Sequence, residues 1–428
     1  MNMTGTTYRP DIPQLDRPRH LGWQVILVYW FAQYAAWLAL VTPVVITMAL
    51  RMRDIAGEQG KAEWLGLVLG VGAMAAMIAA PIWGAMSDRT TARVGRRKPW
   101  IIGGAASLLI GLTIMALAND PLVFGLGWLV CQIGSNAAQA AFNALMSDIV
   151  PENQRGLVSA LLAASATAAI VTGVAITQYT TASSLAMFLV PWIPTPFAVG
   201  LFLWIVPDSP AEPMARQPIT IRTLVGALGL GTLRHRDFAW AFSSRFLVLL
   251  SAAFAMTYQV YYLTDYLHVP HTQVAEFMVL STSLMGGLTF LVSCCGGWLS
   301  DKAGRRKPFV ASAAVLLAAG LGGMSLAASF EQFLLAAALT GVGQGLYYAV
   351  DIALCVEVLP HRSNAARDMA VLQIANSLPQ SLAPTIAPIL LGVALGGLAG
   401  RNYPALFLFA ALVALAGAAV LIPIKKVR

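Results

Sequence analysis

Apolar runs of about twenty residues follow one another along this chain, and we count twelve of them. Each is long enough to cross the hydrocarbon core of a bilayer, about 30 Å thick, as a helix. Composition agrees: 58% of the 428 residues are hydrophobic and 11% are charged. The mean hydropathy of +0.71 is too high for a soluble domain of that size. The chain is expected to be an all-α membrane protein.

The twelve runs divide into two sets of six because the chain repeats itself. A charged hairpin running from Gly84 to Trp100 separates the second and third runs, and its segment Gly95-Arg96-Arg97-Lys98-Pro99 returns as Gly304-Arg305-Arg306-Lys307-Pro308. Asp88 answers to Asp301, the first hairpin being four residues longer. Asp148 to Pro151 correspond, at the offset of the basic segment, to Glu357 to Pro360. Recurrence over half a chain marks a duplicated unit. An even number of spans per unit gives both the same orientation, so the repeat is parallel, about an axis along the membrane normal. The expected halves are residues 1–206 and 238–428. Between them, 207–237 has the Pro-, Arg- and Gly-containing composition of a linker.

A net charge of +8 and a pI near 9.5 would suit nucleic acid, so the location of the charge decides. With the Gly84 hairpin in the cytoplasm, every Lys and Arg falls in a cytoplasmic segment except five. Arg51, Arg53, Lys61 and Arg401 fall in outer loops, and Arg245 lies within a span. This is the positive-inside pattern. It puts both termini in the cytoplasm, points to a bacterial cytoplasmic membrane, and leaves no basic soluble domain to bind nucleic acid. Cys131, Cys294, Cys295 and Cys355 all fall in expected spans and form no CxxC or His/Cys cluster, so no disulfide, metal or cofactor is expected. The first run is too long for a signal-peptide core and is read as a retained helix. The chain is expected to act as a monomer.

The spans are expected at 23–50, then from an outer loop at 51–63 down to the hairpin, and at 99–118. A fourth descends to Asp148, and the rest lie at 156–179, 186–206, 238–267, 274–299, 308–328, 331–358, 367–395 and 404–424. Polar residues inside spans are costly and face a cavity or another helix. Three sets recur at helical spacing: Asn136, Gln139 and Asn143; Gln344, Tyr347, Tyr348 and Asp351; Gln373, Asn376 and Gln380. The seventh span adds Tyr258, Gln259, Tyr261 and Tyr262, and the first adds Gln33 and Tyr34. At about 1.5 Å per residue, Gln139 and Tyr347 sit at matching depths near the midplane. Amides give and take hydrogen bonds and aromatic faces stack on apolar sugar faces, so such a set suits a neutral, hydroxyl-rich solute. Helix–helix hydrogen bonding accounts for each set without any ligand.

The only fixed charges well inside spans and away from the loop motifs are Arg245 and Asp351, at similar depth. Making and breaking that pair is an expected route for loading and releasing a proton; a static structural pair is the competing reading.

Gly84-x-x-x-Asp88-Arg89 with Gly95-Arg96-Arg97-Lys98, and the copy Gly297-x-x-x-Asp301-Lys302 with Gly304-Arg305-Arg306-Lys307, resembles the loop signature of the major facilitator superfamily. The run Asn136-x-x-Gln139-x-x-x-Asn143-Ala-Leu-x-x-Asp148 and the segment Leu263-Thr264-Asp265-Tyr266-Leu267 are similar to plant sucrose transporters and their relatives among the glycoside, pentoside and hexuronide cation symporters. Those relatives carry Arg where this chain has Asn143, so no role that needs a guanidinium carries over there. The resemblance implies a twelve-helix major facilitator fold and proton symport of a sugar or glycoside, sucrose or maltose being the typical size, by alternating access. It makes Asp265 a rival proton carrier. From the residues themselves a gate is expected at Gly84, Asp88, Arg89, Arg96, Arg97, Asp148 and Arg155 with Asp301, Arg305, Arg306 and Glu357, Asp88 and Asp301 holding helix termini and arginines in one of two states, and a topology signal alone is the competing reading of the basic runs. A proton-coupled exporter of drugs or lipid-like metabolites is the alternative on the same fold. An enzyme is not expected, since no nucleophile–base pair or metal spacing is present.

Overall fold

The computed structural model describes residues 20–151, 153–208, 230–303, 306–358, 365–392 and 402–424. Among these the chain forms helices joined by turns, and no strand. The first half holds α1 (Trp23–Thr42), α2 (Met48–Ser87), α3 (Lys98–Leu117), α4 (Pro121–Ile149), α5 (Arg155–Thr180), α6 (Ser184–Leu189) and α7 (Pro194–Ile205). The second holds α8 (Arg236–Tyr261), α9 (Val274–Ala303), α10 (Lys307–Leu326), α11 (Phe330–Glu357), α12 (Ala365–Leu391) and α13 (Tyr403–Ala419). Nine helical segments among the described residues are long and apolar enough to cross a membrane. One of these, Trp23–Ser87, runs for 65 residues, about 98 Å of helix and enough for two crossings. With α12 and α13 the crossings come to the expected twelve.

The expected outer loop at 51–63 is corrected. The chain stays helical through it and turns at a single residue, Gly57 (φ 69°, ψ 175°), a backbone conformation in which a β-carbon is strained. The charges that suggested a loop are absorbed by partners instead. Arg51 donates from Nη2 to the Ala118 carbonyl at 2.7 Å, tying this corner to the α3–α4 turn. Lys61, assigned to the loop by its charge, is only 1% exposed. The sixth span is likewise two helices, α6 and α7, joined by a 3₁₀ turn at Val190–Trp192. Pro191 and Pro194 each remove a backbone donor there.

Prolines also open bonding positions elsewhere. Pro388 in α12 cannot donate to the carbonyl of Pro384 one turn back, and Tyr258 of α8 donates its hydroxyl to that carbonyl at 3.1 Å. The first span of each half carries one π turn, Pro43–Thr47 in the first and Tyr262–Tyr266 in the second. Both turns lie at the end of the molecule opposite the basic hairpins, called the distal end below; the other is the basic end.

Duplication is visible in contacts as well as in sequence. A β-carbon on Gly111 of α3 would lie 2.8 Å from the Cys131 nitrogen of α4. One on Gly320 of α10, the repeat-equivalent glycine, would lie 2.6 Å from the Thr340 nitrogen of α11. In both halves the same helix pair is brought backbone to backbone by a missing side chain, the usual device of helix packing in lipid. Gly84-Ala85 and Gly296-Gly297 are further small-residue pairs that could bring helices close. Gly296 does pack, with its β-carbon position 2.9 Å from Leu346 Cδ1. Gly84 does not: among the described residues nothing lies within 4 Å of a β-carbon there.

Gly103, next along α3 from the packed Gly104, also faces open space. Gly111→Ala should therefore destabilise the protein by about 1–3 kcal/mol through overpacking, while Gly103→Ala should be neutral or slightly stabilising, as a helical Gly→Ala exchange is by up to about 1 kcal/mol. Thermal unfolding of the purified variants in detergent separates the two; equal effects would contradict the packing described.

Candidate functional site

A cavity of about 170 Å³ lies between the halves, walled by α5 on one side and by α8, α9, α11 and α12 on the other. Its polar side chains are Thr167, Thr282, Thr289, Gln344, Tyr348 and Gln380, and its lining includes no charged residue. The rest of the wall is apolar, chiefly Ala, Val, Ile, Leu and Met. Gln344 lies midway along the 28-residue α11, so the cavity sits near the membrane midplane. Thr289 donates to the Gly341 carbonyl at 3.0 Å, and its oxygen can still accept.

Of the expected binding residues, Gln344 and Tyr348 line this cavity, joined by Gln380 of the third polar set. The others are placed elsewhere. Gln33 of α1 and Gln139 of α4 bond to each other, amide to amide, at 2.8 Å, and Gln33 Oε1 is buried without a partner. Tyr34 shares a hydrogen bond with Thr172 of α5 at 2.8 Å. Asn136 donates to the Gln132 carbonyl of its own helix at 2.8 Å, and Asn143 is exposed. Gln259 donates to Ser281 at 3.0 Å. Tyr262 donates to the carbonyls of Met324 and Ala327 at 2.6 and 3.2 Å, and Tyr258 to those of Ala62 and Pro384. Both phenols are fully buried and serve helix packing. Asn376 is half-buried on α12, and the side chain of Gln373 lies outside the described residues. Sequence spacing placed the three polar sets on helix faces but could not say which face meets a neighbour, and that is where the binding set narrows.

One turn from the cavity toward the basic end, Arg245 of α8 and Asp351 of α11 form an ion pair. Asp351 is 4% exposed. It also accepts from the Tyr347 hydroxyl at 2.8 Å and lies 3.8 Å from the Cys355 sulfur. Arg245 Nε is buried with no partner. The expected pairing is therefore present, within one half and held by a phenol.

At the basic end, Arg97 organises the first hairpin. Its guanidinium meets Asp88 at 2.6 Å, Asp148 at 3.2 Å and Ser87 Oγ at 2.9 Å, while Arg96 pairs with the other Asp148 oxygen at 2.7 Å. In the second half Arg306 meets Glu357 at 2.8 Å, the repeat-equivalent of Arg97 on Asp148. Lys98 bonds the Leu203 carbonyl at 2.9 Å, and its counterpart Lys307 bonds those of Ile422 and Ile424 at 2.7 and 2.9 Å. Arg155 donates to the Val150 carbonyl at 3.3 Å, and Arg89 is half-buried beside the hairpin. Arg305 and the Asp301 side chain lie outside the described residues. Asp208 was not singled out from sequence, yet its Oδ2 accepts from the backbone nitrogens of Arg97 and Lys98 at 2.8 and 3.0 Å. It caps α3 from beyond α7, and it packs against Gly95, whose φ of 115° and missing side chain leave room for the carboxylate. Only its position after a helix-ending Pro207 hinted at such a role.

The distal end holds the residue that charge counting misplaced. Lys61 Nζ meets Asp265 at 2.7 Å and pairs with Glu58, beneath the ring of Tyr261 with its centroid 5.0 Å away. Asp265 also accepts from Thr264 Oγ1 and the Tyr403 hydroxyl, both at 2.7 Å. Lys61 belongs to the first half and Asp265 to the second. Beside them Tyr261 donates to the carbonyls of Ala49 and Lys61 at 3.0 and 3.3 Å, and Arg53 contacts His271.

A family model described as Major Facilitator Superfamily matches residues 23–294 and 241–428. The sucrose transport protein SUC4 of Arabidopsis thaliana is 25% identical over 108 residues, which take in 22% of this chain and 21% of that protein. The chain thus matches about a fifth of that relative's length. Among solved structures, the nucleoside transporter NupG superposes with a TM-score of 0.70 at 14% identity, covering 95% of this chain and 99% of that one. The D-xylose-proton symporter superposes with a TM-score of 0.71 at 16% identity, covering 95% and 98%. Identities this low establish a shared fold.

Asp208→Ala removes the acceptor of two otherwise unmet helix N–H groups. It should cost about 0.5–2 kcal/mol, as loss of an N-cap does, read as a lower unfolding temperature. No change in that temperature would mean that water replaces the cap.

Proposed function

From the premise that the chain belongs to the major facilitator superfamily and is a membrane transporter rather than an enzyme, we propose that it is a proton symporter of a small neutral, hydroxyl-rich solute, a sugar or glycoside. The observation that carries this reading is the midplane cavity, whose polar groups are amides and hydroxyls with no fixed charge in the wall. Such groups can both donate to and accept from sugar hydroxyls. A charged solute would have to be desolvated there without a counter-charge, which is costly. The distant sequence match to a protein named as a sucrose transporter and the fold shared with a D-xylose-proton symporter point the same way.

In this reading Gln344 and Tyr348 bind the solute from the second half. The Gln33–Gln139 pair, with its orphaned Gln33 carbonyl, supplies polar groups from the first when the halves, 1–206 and 238–428, rock about the cavity. The basic hairpins face the cytoplasm under the positive-inside rule. The closed distal end then makes this an inward-facing arrangement, and Arg97 with Asp88 and Asp148 holds together the cytoplasmic rim of the first half, which closes on the second in the other state. Asp351 and Arg245 carry proton coupling: the pair is buried, adjoins the cavity through Tyr348, and has one unsatisfied guanidinium nitrogen that invites exchange of partners.

The apolar share of the cavity wall favours one second reading, export of an apolar compound. Ligand-induced stabilisation of the purified protein tests both. Sugars or glycosides should raise the unfolding temperature and apolar efflux substrates should not. Gln344→Ala should weaken sugar binding by roughly tenfold, the loss of one or two hydrogen bonds at ~0.5–1.5 kcal/mol each, with the unliganded protein unchanged in stability. The reverse pattern of ligands would favour export.

For coupling, Asp351→Asn alone strands a buried guanidinium, at a cost of ~3–5 kcal/mol, so the double variant Asp351→Asn with Arg245→Gln is the cleaner probe. It should retain solute exchange between equal compartments while losing proton-driven accumulation. Normal accumulation in that variant would remove the pair from the coupling step.

A further inference from the structure

Where the segment between the halves rejoins the fold, at the basic end, two arginines stand apart from the pairing that occupies their neighbours. Arg97 and Arg306 close on carboxylates. Arg234 and Arg236, at the start of α8, do not. Both are exposed, and among the described residues neither has a hydrogen bond or an ion pair. With Leu233, Ala239, Trp240 and Ser243 they line a notch of about 350 Å³. All six residues belong to the stretch 233–243, so the notch lies wholly on the second half and travels with it as a unit when the halves rock.

The lining changes with depth. Counted from Arg236 at about 1.5 Å per residue, Trp240 lies about 6 Å and Ser243 about 10 Å farther along the helix into the span. Charge therefore stands at the mouth, with an indole and a hydroxyl beneath it. The Trp240 ring is 39% exposed, at the level between water and hydrocarbon that tryptophan favours. The helix start adds to the attraction for an anion: His235, its N-cap residue, bonds no first-turn N–H through its side chain, and those groups carry the positive end of the helix dipole. Asp237 in the same turn has a partner of its own and does not line the notch.

We propose that this notch binds the headgroup of one anionic phospholipid of the cytoplasmic leaflet, a phosphodiester lipid such as phosphatidylglycerol. The two guanidiniums take the phosphate, for which their planar forks are suited. Trp240 and Ser243 take the glycerol and ester level, and the acyl chains continue into the bilayer. A free anion would need the arginines alone, so dependence on Trp240 separates a lipid from a soluble phosphate ester. Bound lipid anchors the second half at the membrane surface, through the helix that also carries Arg245 and part of the cavity wall, while the first half moves. The inference rests on the basic end facing the cytoplasm, where anionic lipids give the leaflet its negative potential, and is independent of which solute the cavity takes.

Native mass spectrometry of the delipidated protein in detergent, titrated with dioleoyl phosphatidylglycerol, reads the affinity of the first lipid bound. A single molecule should bind ahead of all others, and dioleoyl phosphatidylcholine, with the same chains and no net charge, should bind roughly tenfold more weakly. Arg234→Gln with Arg236→Gln should weaken the first phosphatidylglycerol roughly twentyfold, about fivefold for each charge near the surface. The unfolding temperature without lipid should not change, since both side chains are exposed. Arg234→Lys with Arg236→Lys should keep most of the affinity, and Trp240→Ala should lower it severalfold. Lys425→Gln with Lys426→Gln removes the same charge from the C-terminal end of the sequence and should leave the first binding event as it was. The proposal is overturned if the arginine-to-glutamine variant binds like the wild type, if the lysine control loses as much, or if phosphatidylcholine binds equally well. It is also overturned if Trp240→Ala has no effect and glycerol 3-phosphate fills the site as fully as the lipid, which would mark a site for soluble phosphate esters.

Discussion

Charge withdrawn from water has to be met by charge, and in this protein that requirement decides where the helices can sit. Three buried or half-buried cations, Arg97, Arg245 and Lys61, each close on carboxylates from another helix. Removing either member of such a pair leaves a bare charge at a cost of ~3–5 kcal/mol, so the helices that carry them are held at fixed separations. Arg97 ties the α2–α3 hairpin to α4, and Arg245 ties α8 to α11 within the second half. Of the three, only Lys61 reaches a carboxylate in the other half, beside the cross-half hydrogen bonds of Tyr258 and Tyr261. The apolar surfaces between these pins need only be smooth, which is why glycines such as Gly111 and Gly320 do the packing.

The pins divide by what they span. Those at the basic end act inside one half or the other, and repeat-equivalent residues make them, Arg97 on Asp148 and Arg306 on Glu357. The distal pin has no repeat copy in the described residues: Lys61 has no basic counterpart in the second half, where the position at the offset of Asp88 to Asp301 is Val274. Duplication therefore supplies two stable bundles, and the ion pair that joins them at the distal end is an addition to one of them. Gln344 and Tyr348 likewise lack partners of the same type on α4, where Ser135 and Gln139 stand at the same offset. The wall of the cavity is asymmetric in the same sense.

Much of the architecture was legible in the residues because a bilayer leaves few choices. Twelve apolar runs, a repeated basic segment and its spacing yielded the two-repeat, all-α fold. The Arg245–Asp351 pair followed from two charges at equal depth. Lys61 and the 51–63 corner were misread for one reason: charge density suggests a loop, but when Arg51, Glu58 and Lys61 find partners the helix can run on and bend at Gly57. The phenols of Tyr258 and Tyr262 look from sequence like binding groups. Their partners are backbone carbonyls, those of Tyr262 at the end of α10 and those of Tyr258 within α2 and α12, one of them exposed by Pro388, and no periodicity records which carbonyls are free. Helical spacing gives the face a residue shares, and only packing says what the face meets.

Uptake of labelled solute into proteoliposomes under an imposed pH gradient tests the account most directly. A neutral sugar or glycoside should accumulate above its external concentration when the lumen is alkaline, and a protonophore should collapse the accumulation to simple equilibration. Accumulation that ignores the pH gradient, or that is seen only with charged or apolar compounds, would contradict it.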